Sequence, residues 1–373
     1  MRVLNFSKYY PPYRGGIEKV AEDLTEGLTN NGVDVSVLCF DSGEAASSQN
    51  CSIKRSATLA NIKSTPISLK NINDYYYLAR EADIVHVHFP NPMANLSIFI
   101  SWYFFRIRPK VIVHWHSDVV NQKYILILYK FLMNWLLKRS SSIVCTSQKY
   151  FESSKQLVNY KNKVEIIPIG IDTSHLKINM VVHRNLKKTY KDKFVVFSLG
   201  RHVYYKGFEW LIRAACYLDE NVVVLIGGAG PLTNELKNLA ETLNVSHKVT
   251  FLGRISDEDI GAYYSACDVF CMPSVERSEA FGVVQLEAMF FSKPIVSTRI
   301  EGSGVDWVNL HMESGLTVKT HDALHIATAI NRLANDAQLY NDLSCGAKVR
   351  FSKHFDSSVM SKSFIELYEK VVS

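Results

Sequence analysis

The sequence predicts an α/β protein with two doubly wound parallel sheets that face each other across a cleft. Strand-like apolar runs alternate with segments of helical periodicity, which is typical of parallel sheets. The alternation pauses near residue 166 and begins again near residue 193. Glycine-containing turns follow strands in both halves, at the sheet edge where such proteins bind ligands. With 373 residues, the chain has room for two domains of this kind.

The first half begins with a short strand followed by a helix. The helix is predicted from Ile17, Val20, Ala21 and Leu24, which recur at the spacing of one helical face. The polar region 41–78 has no clear periodicity, so its elements are not assigned. The strands predicted in this half are 2–6, 33–40, 82–89, 110–116 and 142–147.

The second half repeats the alternation and sets the domain boundaries. The predicted domains are 1–170 and 171–354, both Rossmann-like. The amphipathic tail 355–373 predicts a helix that could pack back on the first domain. The strands predicted in this half are 193–200, 221–228, 248–253, 267–273 and 293–300.

The composition limits the partners and the compartment. A net charge of +6 at pH 7 favours an anionic substrate or a membrane surface, and the lack of a dense Lys/Arg run argues against nucleic acid. The seven cysteines are scattered without a Cys-x-x-Cys pair, which predicts reduced thiols in a cytoplasmic protein. No apolar stretch approaches the roughly 18 residues of a spanning helix, and no signal-peptide core is recognised.

Two glutamates in the stretch SEAFGVVQLEAM are the first candidate site residues. Glu279 and Glu287 have seven residues between them, and a helix is predicted over about 281–291. If the whole segment is helical, the carboxylates share a broad face; if Glu279 lies in the preceding loop, their separation is longer. Either arrangement suits the two ends of an elongated ligand, with a phosphate favoured at the helix start. The alternative is a pair of glutamates on a solvated helix.

Two cations follow the first strand of the second half. Arg201 and Lys206 flank a short loop in SLGRHVYYKGF, where fixed positive charges could neutralise a diphosphate. A solvated basic loop is the alternative. The acidic run 257–259 follows Ser256 and predicts a helix N-terminus, not a metal site. The sequence therefore predicts that cations and backbone amides replace a metal ion, and no cofactor is expected.

His116 and Asp118 are the candidates in the first half. They follow the predicted strand in VHWHSDVV, at the tip where parallel sheets carry their sites. His114, earlier in the same strand, is predicted to point the other way into the core. Gly15 and Gly16 end the first strand-to-helix turn, where a tight turn alone could also require them.

Together these motifs resemble those of family 4 glycosyltransferases. The resemblance is carried by the pair Glu279 and Glu287, by Arg201 and Lys206, by PIGID near the domain boundary and by the Gly15-Gly16 turn. Enzymes of that family are retaining and have the two-domain GT-B fold. The resemblance implies that the C-terminal domain holds a nucleotide diphosphate sugar and that the N-terminal domain holds the acceptor.

The resemblance also implies a role for each candidate residue. Glu279 would contact the sugar hydroxyls, Glu287 the ribose, and Arg201 and Lys206 the diphosphate. The amides of Phe281, Gly282 and Val283 would also bind the diphosphate, and Gly16 would approach it. By the same resemblance, His116 would contact the sugar, and backbone groups at Ile255 would bind the base.

Two positions depart from the family pattern. Ser292 stands where the family often has glycine, and Met312 stands where a small residue is common. Both departures are expected to affect loop shape more than chemistry.

The implied reaction is transfer of a hexosyl unit with retention of configuration. The acceptor hydroxyl would attack from the side of the leaving phosphate, and a phosphate oxygen would take its proton. A glycan or lipid-linked sugar of a bacterial surface polysaccharide is the expected acceptor. Two segments rich in bases and aromatics, 102–110 and 122–141, predict a peripheral membrane contact; a core helix with charged ends is the alternative.

Several alternatives stay open from the sequence. The nearest is a sugar-nucleotide epimerase with the same two-domain architecture, which would need no acceptor. An NAD-dependent oxidoreductase is disfavoured because the dinucleotide fingerprint is absent. A binding subunit without activity is disfavoured by the intact charged set, and a glycosidase by the long spacing of its two carboxylates. No residue decides between GDP-mannose and UDP-hexose as the donor.

Overall fold

This computed structural model describes residues 1–13, 15–43, 51–62, 65–118 and 126–373. They form two compact units. Unit 1 consists of Met1–Gly170 together with Ser357–Ser373, and unit 2 consists of Ile171–Asp356. The second unit therefore ends two residues beyond the predicted boundary at 354.

Unit 1 is built around a parallel sheet. Its described strands are β1 (Arg2–Phe6), β2 (Asp34–Phe40), β3 (Ser52–Ser56), β4 (Ala60–Ile62), β5 (Thr65–Ile67), β6 (Ile84–Phe89), β7 (Lys110–Trp115), β8 (Ser142–Cys145) and β9 (Val164–Ile166). The helices between them are α1 (Gly16–Asn30), α2 (Lys70–Ala79), α3 (Pro92–Phe104), α4 (Leu126–Arg139) and α5 (Gln148–Ser153). The sheet order is β3-β2-β1-β6-β7-β8-β9, and β4 pairs with β5 in a separate antiparallel hairpin.

Unit 2 has the same kind of architecture. Its strands are β10 (Phe194–Leu199), β11 (Val222–Gly227), β12 (Val249–Gly253), β13 (Val269–Met272), β14 (Ile295–Arg299) and β15 (Gly315–Lys319). Its helices are α6 (Met180–Thr189), α7 (Phe208–Ala214), α8 (Thr233–Thr242), α9 (Asp257–Ala266), α10 (Val284–Phe290), α11 (Val305–Val308), α12 (Ala323–Asn335) and α13 (Ala337–His354). The parallel sheet runs β12-β11-β10-β13-β14-β15.

The central strands are apolar because helices cover both faces of each sheet. Every residue of β6 and of β11 is buried, as is typical of parallel strands between two helical layers. On one face of the second sheet, Val196, Val224 and Val269 pack with Leu211 of α7 and Ile330 of α12. The two predicted Rossmann-like α/β domains are therefore confirmed.

The predicted strands agree with the structure to within two residues at each end. Three edge strands, β3, β9 and β15, were not predicted. Over Ser52–Arg55 of β3, exposed and partly buried positions alternate, because successive side chains point to opposite faces of the strand and only one face is partly covered. Edge strands of this kind lack the continuous apolar run that marks a central strand.

The C-terminal helix α14 (Ser357–Val372) belongs to unit 1. It packs against α1 so closely that a Cβ added to Gly27 would lie 2.8 Å from the Cβ of Ser361. Its Tyr368 hydroxyl lies 2.7 Å from Nδ1 of His86 on β6. The amphipathic tail thus covers one face of the first sheet.

Candidate functional site

Lys206 and Glu279 form an ion pair at the carboxyl-terminal edge of the unit 2 sheet. Lys206 ends a short 3-10 turn after β10, and Glu279 lies in the loop between β13 and α10. The Lys206 Nζ lies 2.6 Å from Glu279 Oε2, with the side chains 14% and 10% exposed. Burial alone would lower the pKa of Lys206, but the adjacent carboxylate outweighs burial and the net pKa is raised. The lysine therefore stays charged.

The conformation of the Lys206 turn depends on a glycine. Gly207 has a φ of 63°, and a Cβ added there would lie 2.2 Å from the carbonyl oxygen of Pro273. In addition, the amide of Val275 donates to the carbonyl oxygen of Tyr205 at 2.8 Å. These close contacts hold the turn after β10 against the end of β13, which brings the two charges together.

Hydroxyl side chains hold the loop that carries Glu279. Ser274 Oγ donates to Glu279 Oε2 at 3.0 Å. Thr298 Oγ1 donates to the backbone oxygen of Ser274, and Ser303 Oγ donates to the backbone oxygen of Glu279. No sequence pattern distinguishes these three hydroxyl residues, because small polar residues after a strand are common in ordinary turns.

The helix after Glu279 is shorter than predicted. α10 begins at Val284 instead of 281, so Glu279 lies in the loop, which is one of the two arrangements that the sequence allowed. Phe281 is 3% exposed and packs near Trp307 and Phe355. Gly282 has a φ of 76°, a conformation that favours glycine. The fold itself therefore requires Gly282, whatever else its backbone binds.

Glu287 lies on α10 and is half-buried. The fully buried Tyr264 of α9 forms a side-chain hydrogen bond with it. Burial raises the pKa of Tyr264 well above its usual value, and the Glu287 carboxylate raises it further. The Tyr264 hydroxyl thus stays protonated; it donates to the backbone oxygen of Val284 at 3.4 Å and interacts with the Glu287 carboxylate.

Arg201, Ile255 and Val283 complete the candidate set in unit 2. Arg201 is exposed directly after β10, and its backbone oxygen accepts from the amide of Val203 at 2.8 Å. Ile255 follows β12, and its side chain lies over Gly227 at the end of β11. Val283 is half-buried at the N-cap of α10. Arg201 and Ile255 lie at the same sheet edge as the Lys206–Glu279 pair, because they follow parallel neighbouring strands.

Unit 1 holds the remaining three candidates. Gly16 is exposed at the start of α1, and an added Cβ would meet no atom within 4 Å. His116, directly after β7, is 6% exposed. Asp118 Oδ1 accepts from Trp115 Nε1 at 3.0 Å and from Ser154 Oγ at 2.7 Å. Asp118 therefore also helps to order this loop.

His116 belongs to a buried cluster with His86, His88 and His114. Nε2 of His86 lies 3.2 Å from Nδ1 of His114, and Nδ1 of His88 lies 2.8 Å from Nε2 of His116. Burial lowers the pKa of His86 and of His116 to about 3, so both rings are neutral. His114 is buried as expected, but the prediction that it points away from His116 is wrong. Residues two apart in a strand share a face, and these two ring centroids are 4.1 Å apart.

The region 102–110 and helix α4 form a surface of aromatic and basic side chains. The first part of the predicted segment, 122–125 with Lys123, lies outside the described residues. Trp102 lies under the guanidinium groups of Arg108 and Arg139, at 5.5 and 5.8 Å. The exposed aromatic residues of this surface are Tyr103, Phe104, Phe105 and Phe131. Within the described parts of the chain, no helix has the length and apolarity needed to span a membrane.

Comparisons with known proteins cover nearly the whole chain. The profile described as "Glycosyltransferase Family 4" matches residues 14–175, and the profile described as "Glycosyl transferases group 1" matches residues 182–350. The O-antigen chain mannosyltransferase C of Escherichia coli is 32% identical over 373 residues, covering 99% of this chain and 98% of that protein. The D-rhamnosyltransferase WbpZ of Pseudomonas aeruginosa is 33% identical over 360 residues, covering 95% and 92%.

Solved structures share the fold at lower sequence identity. Anabaena Alr3699/HepE, solved in complex with UDP, superposes with a TM-score of 0.79 at 19% identity, covering 99% of this chain and 100% of that chain. The sucrose-phosphate synthase of Thermosynechococcus elongatus has a TM-score of 0.79 at 20% identity, covering 99% and 98%. At these identities the likeness concerns the two-domain architecture.

Proposed function

Because the chain belongs to glycosyltransferase family 4, we propose that it is a retaining hexosyltransferase that works without a metal ion. Its substrates would be a nucleotide diphosphate sugar and a glycan or lipid-linked sugar acceptor of a bacterial surface polysaccharide. The names of the relatives from Escherichia coli and Pseudomonas aeruginosa support glycosyl transfer and give no support to the epimerase alternative.

The Lys206–Glu279 pair is the observation that carries this proposal. A diphosphate needs positive charge, and the sugar beside it needs hydrogen-bond acceptors for its hydroxyls. The ion pair offers both within 2.6 Å, at the sheet edge where α/β proteins bind ligands. The exposed guanidinium of Arg201 at the same edge would add a second cation. Two such cations could supply the charge that a divalent ion supplies elsewhere.

The proposed reaction breaks the bond between the anomeric carbon and the oxygen of the β-phosphate. The acceptor hydroxyl forms the new bond on the same face of the sugar, and its proton goes to an oxygen of the departing phosphate. Lys206 and Arg201 would stabilise the negative charge that develops on that phosphate. Glu279 would orient the sugar through its hydroxyls and would not act as a nucleophile.

The relatives favour a sugar of the manno configuration. The two that cover nearly the whole chain are named for transfer of mannosyl and rhamnosyl units, and D-rhamnose is 6-deoxymannose. Glu287, held by Tyr264, would bind the ribose of the nucleotide. The base would be recognised by backbone groups near Ile255.

The aromatic and basic surface of unit 1 supports a peripheral membrane contact. Exposed aromatic rings with flanking guanidinium groups are typical of surfaces that lie in the headgroup region of anionic lipids. Phe104 is 75% exposed and Phe131 is 58% exposed, and Arg108 and Arg139 both lie over Trp102. We propose that this surface brings the enzyme to the cytoplasmic face of a membrane that carries the acceptor.

A transfer assay with defined products tests the proposal. The purified protein would be incubated with GDP-mannose or a UDP-hexose and a lipid-linked glycan, with and without a chelator. We expect a glycosylated product whose anomeric configuration, measured by NMR, matches that of the donor, at a rate that the chelator leaves unchanged. An inverted product, a chelator-sensitive rate, or an isomerised nucleotide sugar formed without acceptor would each contradict the corresponding part of the proposal.

A further inference from the structure

The rings of His88 and His116 form a tight pair on one face of the β6–β7 ladder. The rings are stacked with an interplanar angle of 6°, and Nδ1 of His88 lies 2.8 Å from Nε2 of His116. His88 is 1% exposed, whereas His116 is 6% exposed. Both rings are buried, and His116, directly after the carboxyl end of β7, is the more accessible of the two.

We propose that His88 is a positioning residue that holds His116 as the neutral tautomer with its proton on Nδ1. In this state His116 donates a hydrogen bond to an oxygen of the sugar substrate and does not act as a base. This inference rests on the sugar contact proposed for His116.

The assignment of the proton follows from the environment of His88. A neutral imidazole has one donor nitrogen and one acceptor nitrogen. Nε2 of His88 is buried and has no hydrogen-bond partner in the described part of the chain. If His116 donated to His88, the remaining proton of His88 would be a buried donor without an acceptor, and such orphaned N–H groups are rare. The better arrangement has Nδ1–H of His88 donating to Nε2 of His116.

This arrangement decides what His116 can do. Its Nε2 accepts from His88, so its own proton lies on Nδ1. No hydrogen bond from Nδ1 to another described residue is present, which leaves that N–H available to a ligand. Burial lowers the pKa of His116 to about 3, which keeps the ring neutral. With no free lone pair, His116 cannot take the proton of the acceptor hydroxyl, in agreement with a phosphate oxygen in that role.

A metal site is the competing interpretation of the cluster. One ligand atom from each of His86, His88 and His114 lies within 4.8 Å of the others. Three imidazoles alone can hold a zinc ion, so the lack of a carboxylate or thiolate does not by itself exclude a metal. Both nitrogens of His86 are already within hydrogen-bond distance of Tyr368 and His114. Hydrogen bonding therefore accounts for the cluster better than metal binding.

Steady-state kinetics of two substitutions at position 88 test the proposal. His88→Leu removes the donor and should lower kcat about 10- to 100-fold with little change in KM, as for other groups that orient a contacting side chain. His88→Asn places an amide N–H close to the position of Nδ1 and should restore most of the turnover. His86→Asn is the matched control, since it lies on the same strand and face but does not contact His116; it should leave kcat unchanged.

A double-mutant cycle separates positioning from general damage. In the His116→Ala background, His88→Leu should cause no further loss of kcat, because the residue through which it acts is gone. An equal loss in both backgrounds would overturn the proposal. Full turnover in His116→Ala alone would instead remove His116 from the site, and no transfer by the unaltered enzyme would refute the proposed function.

The tautomer can also be read directly in the unaltered protein. Proton–nitrogen correlation spectra of protein with labelled histidine distinguish a protonated Nδ1 from a protonated Nε2. We expect His116 to carry its proton on Nδ1 near neutral pH. A proton on Nε2 of His116 would overturn the inference even if His88→Leu failed to fold.

Discussion

The Nζ of Lys206 lies 2.6 Å from Oε2 of Glu279, and solvent reaches little of either side chain. Removing one partner of such a pair leaves a buried charge without compensation, at a cost of about 3–5 kcal/mol. Removing both partners avoids that cost. Stability and catalysis therefore respond differently to single and double substitutions at this pair.

Substitution of Glu279 should separate these two effects. Glu279→Gln should lower the free energy of unfolding and should reduce turnover about 10²- to 10³-fold, as expected when a group that contacts the reacting substrate is lost. The double variant Glu279→Gln/Lys206→Met should regain stability but not turnover. Urea unfolding and donor kinetics would measure both. Recovery of turnover in the double variant would show that the pair has only a structural role.

Tyr264 should influence the affinity for the donor through Glu287. Tyr264→Phe removes the hydrogen bond to the carboxylate, and bonds to charged groups contribute about 1.5–3 kcal/mol. We expect the KM for the nucleotide sugar to rise roughly tenfold or more, since 1.4 kcal/mol is a factor of ten, with kcat little changed. Tyr263→Phe on the same helix is the control. A fall in kcat with unchanged KM would argue against ribose binding by Glu287.

Ser292 should be a site where glycine stabilises the protein. It has a φ of 57° just beyond the end of α10, a left-handed conformation that glycine adopts without strain. Relief of that strain exceeds the added entropy of the unfolded chain, so Ser292→Gly should raise stability by about 0.5–1 kcal/mol. Thermal unfolding would measure the increase. Ser292→Ala keeps the strain and should show no gain; an equal gain with alanine would refute the explanation.

The histidine cluster should make unit 1 sensitive to mild acid. Burial lowers the pKa of His86 and His116 from 6.5 to about 3. Below pH 6.5, these two rings therefore bind protons in the unfolded chain but not in the folded chain. Their contribution is complete above pH 6.5 and falls as the pH decreases from 6.5 toward 3, by about 1.4 kcal/mol per pH unit for each histidine.

Urea unfolding between pH 7.5 and 5, with a spectroscopic probe in unit 1, would measure this loss. The loss of stability should be less steep in His86→Asn, which has one titrating group fewer. A slope that is the same in His86→Asn and in the unaltered protein would mean that this ring is not held neutral by the fold.

The sequence predicts the sheet architecture well and the electrostatic details poorly. A central strand such as β11 (VVVLIG) is recognisable because burial on both faces favours an unbroken apolar run. Glu279 and Lys206 were both selected, but their direct pairing depends on Gly207 and on the close approach of two loops that are far apart in sequence. The sequence does not predict the roles of Ser274 and Tyr264, because a serine after a strand and a tyrosine on a helix carry no pattern that distinguishes a supporting role.

The cluster of His86, His88, His114 and His116 also depends on contacts between strands that the sequence alone does not predict. The position of His116 at a strand end predicts a functional role, whereas the sequence gives His86 and His88 no feature beyond membership of the strand 82–89. Their relation appears only when β6 and β7 pair in register, which places His88 opposite His114. Pair formation between neighbouring strands is set by the tertiary fold, so a reading of one strand at a time could not find it.

Because α14 follows the whole of unit 2 along the chain yet belongs to unit 1, unit 1 cannot complete its fold until unit 2 has been synthesised. Every residue of unit 2 is synthesised before the helix that covers the histidine face. A premature stop after residue 356 would thus release a protein in which unit 2 is complete and unit 1 lacks helix α14. We expect chaperones and proteases to recognise such fragments through unit 1, where the absence of α14 exposes apolar surface, and not through unit 2.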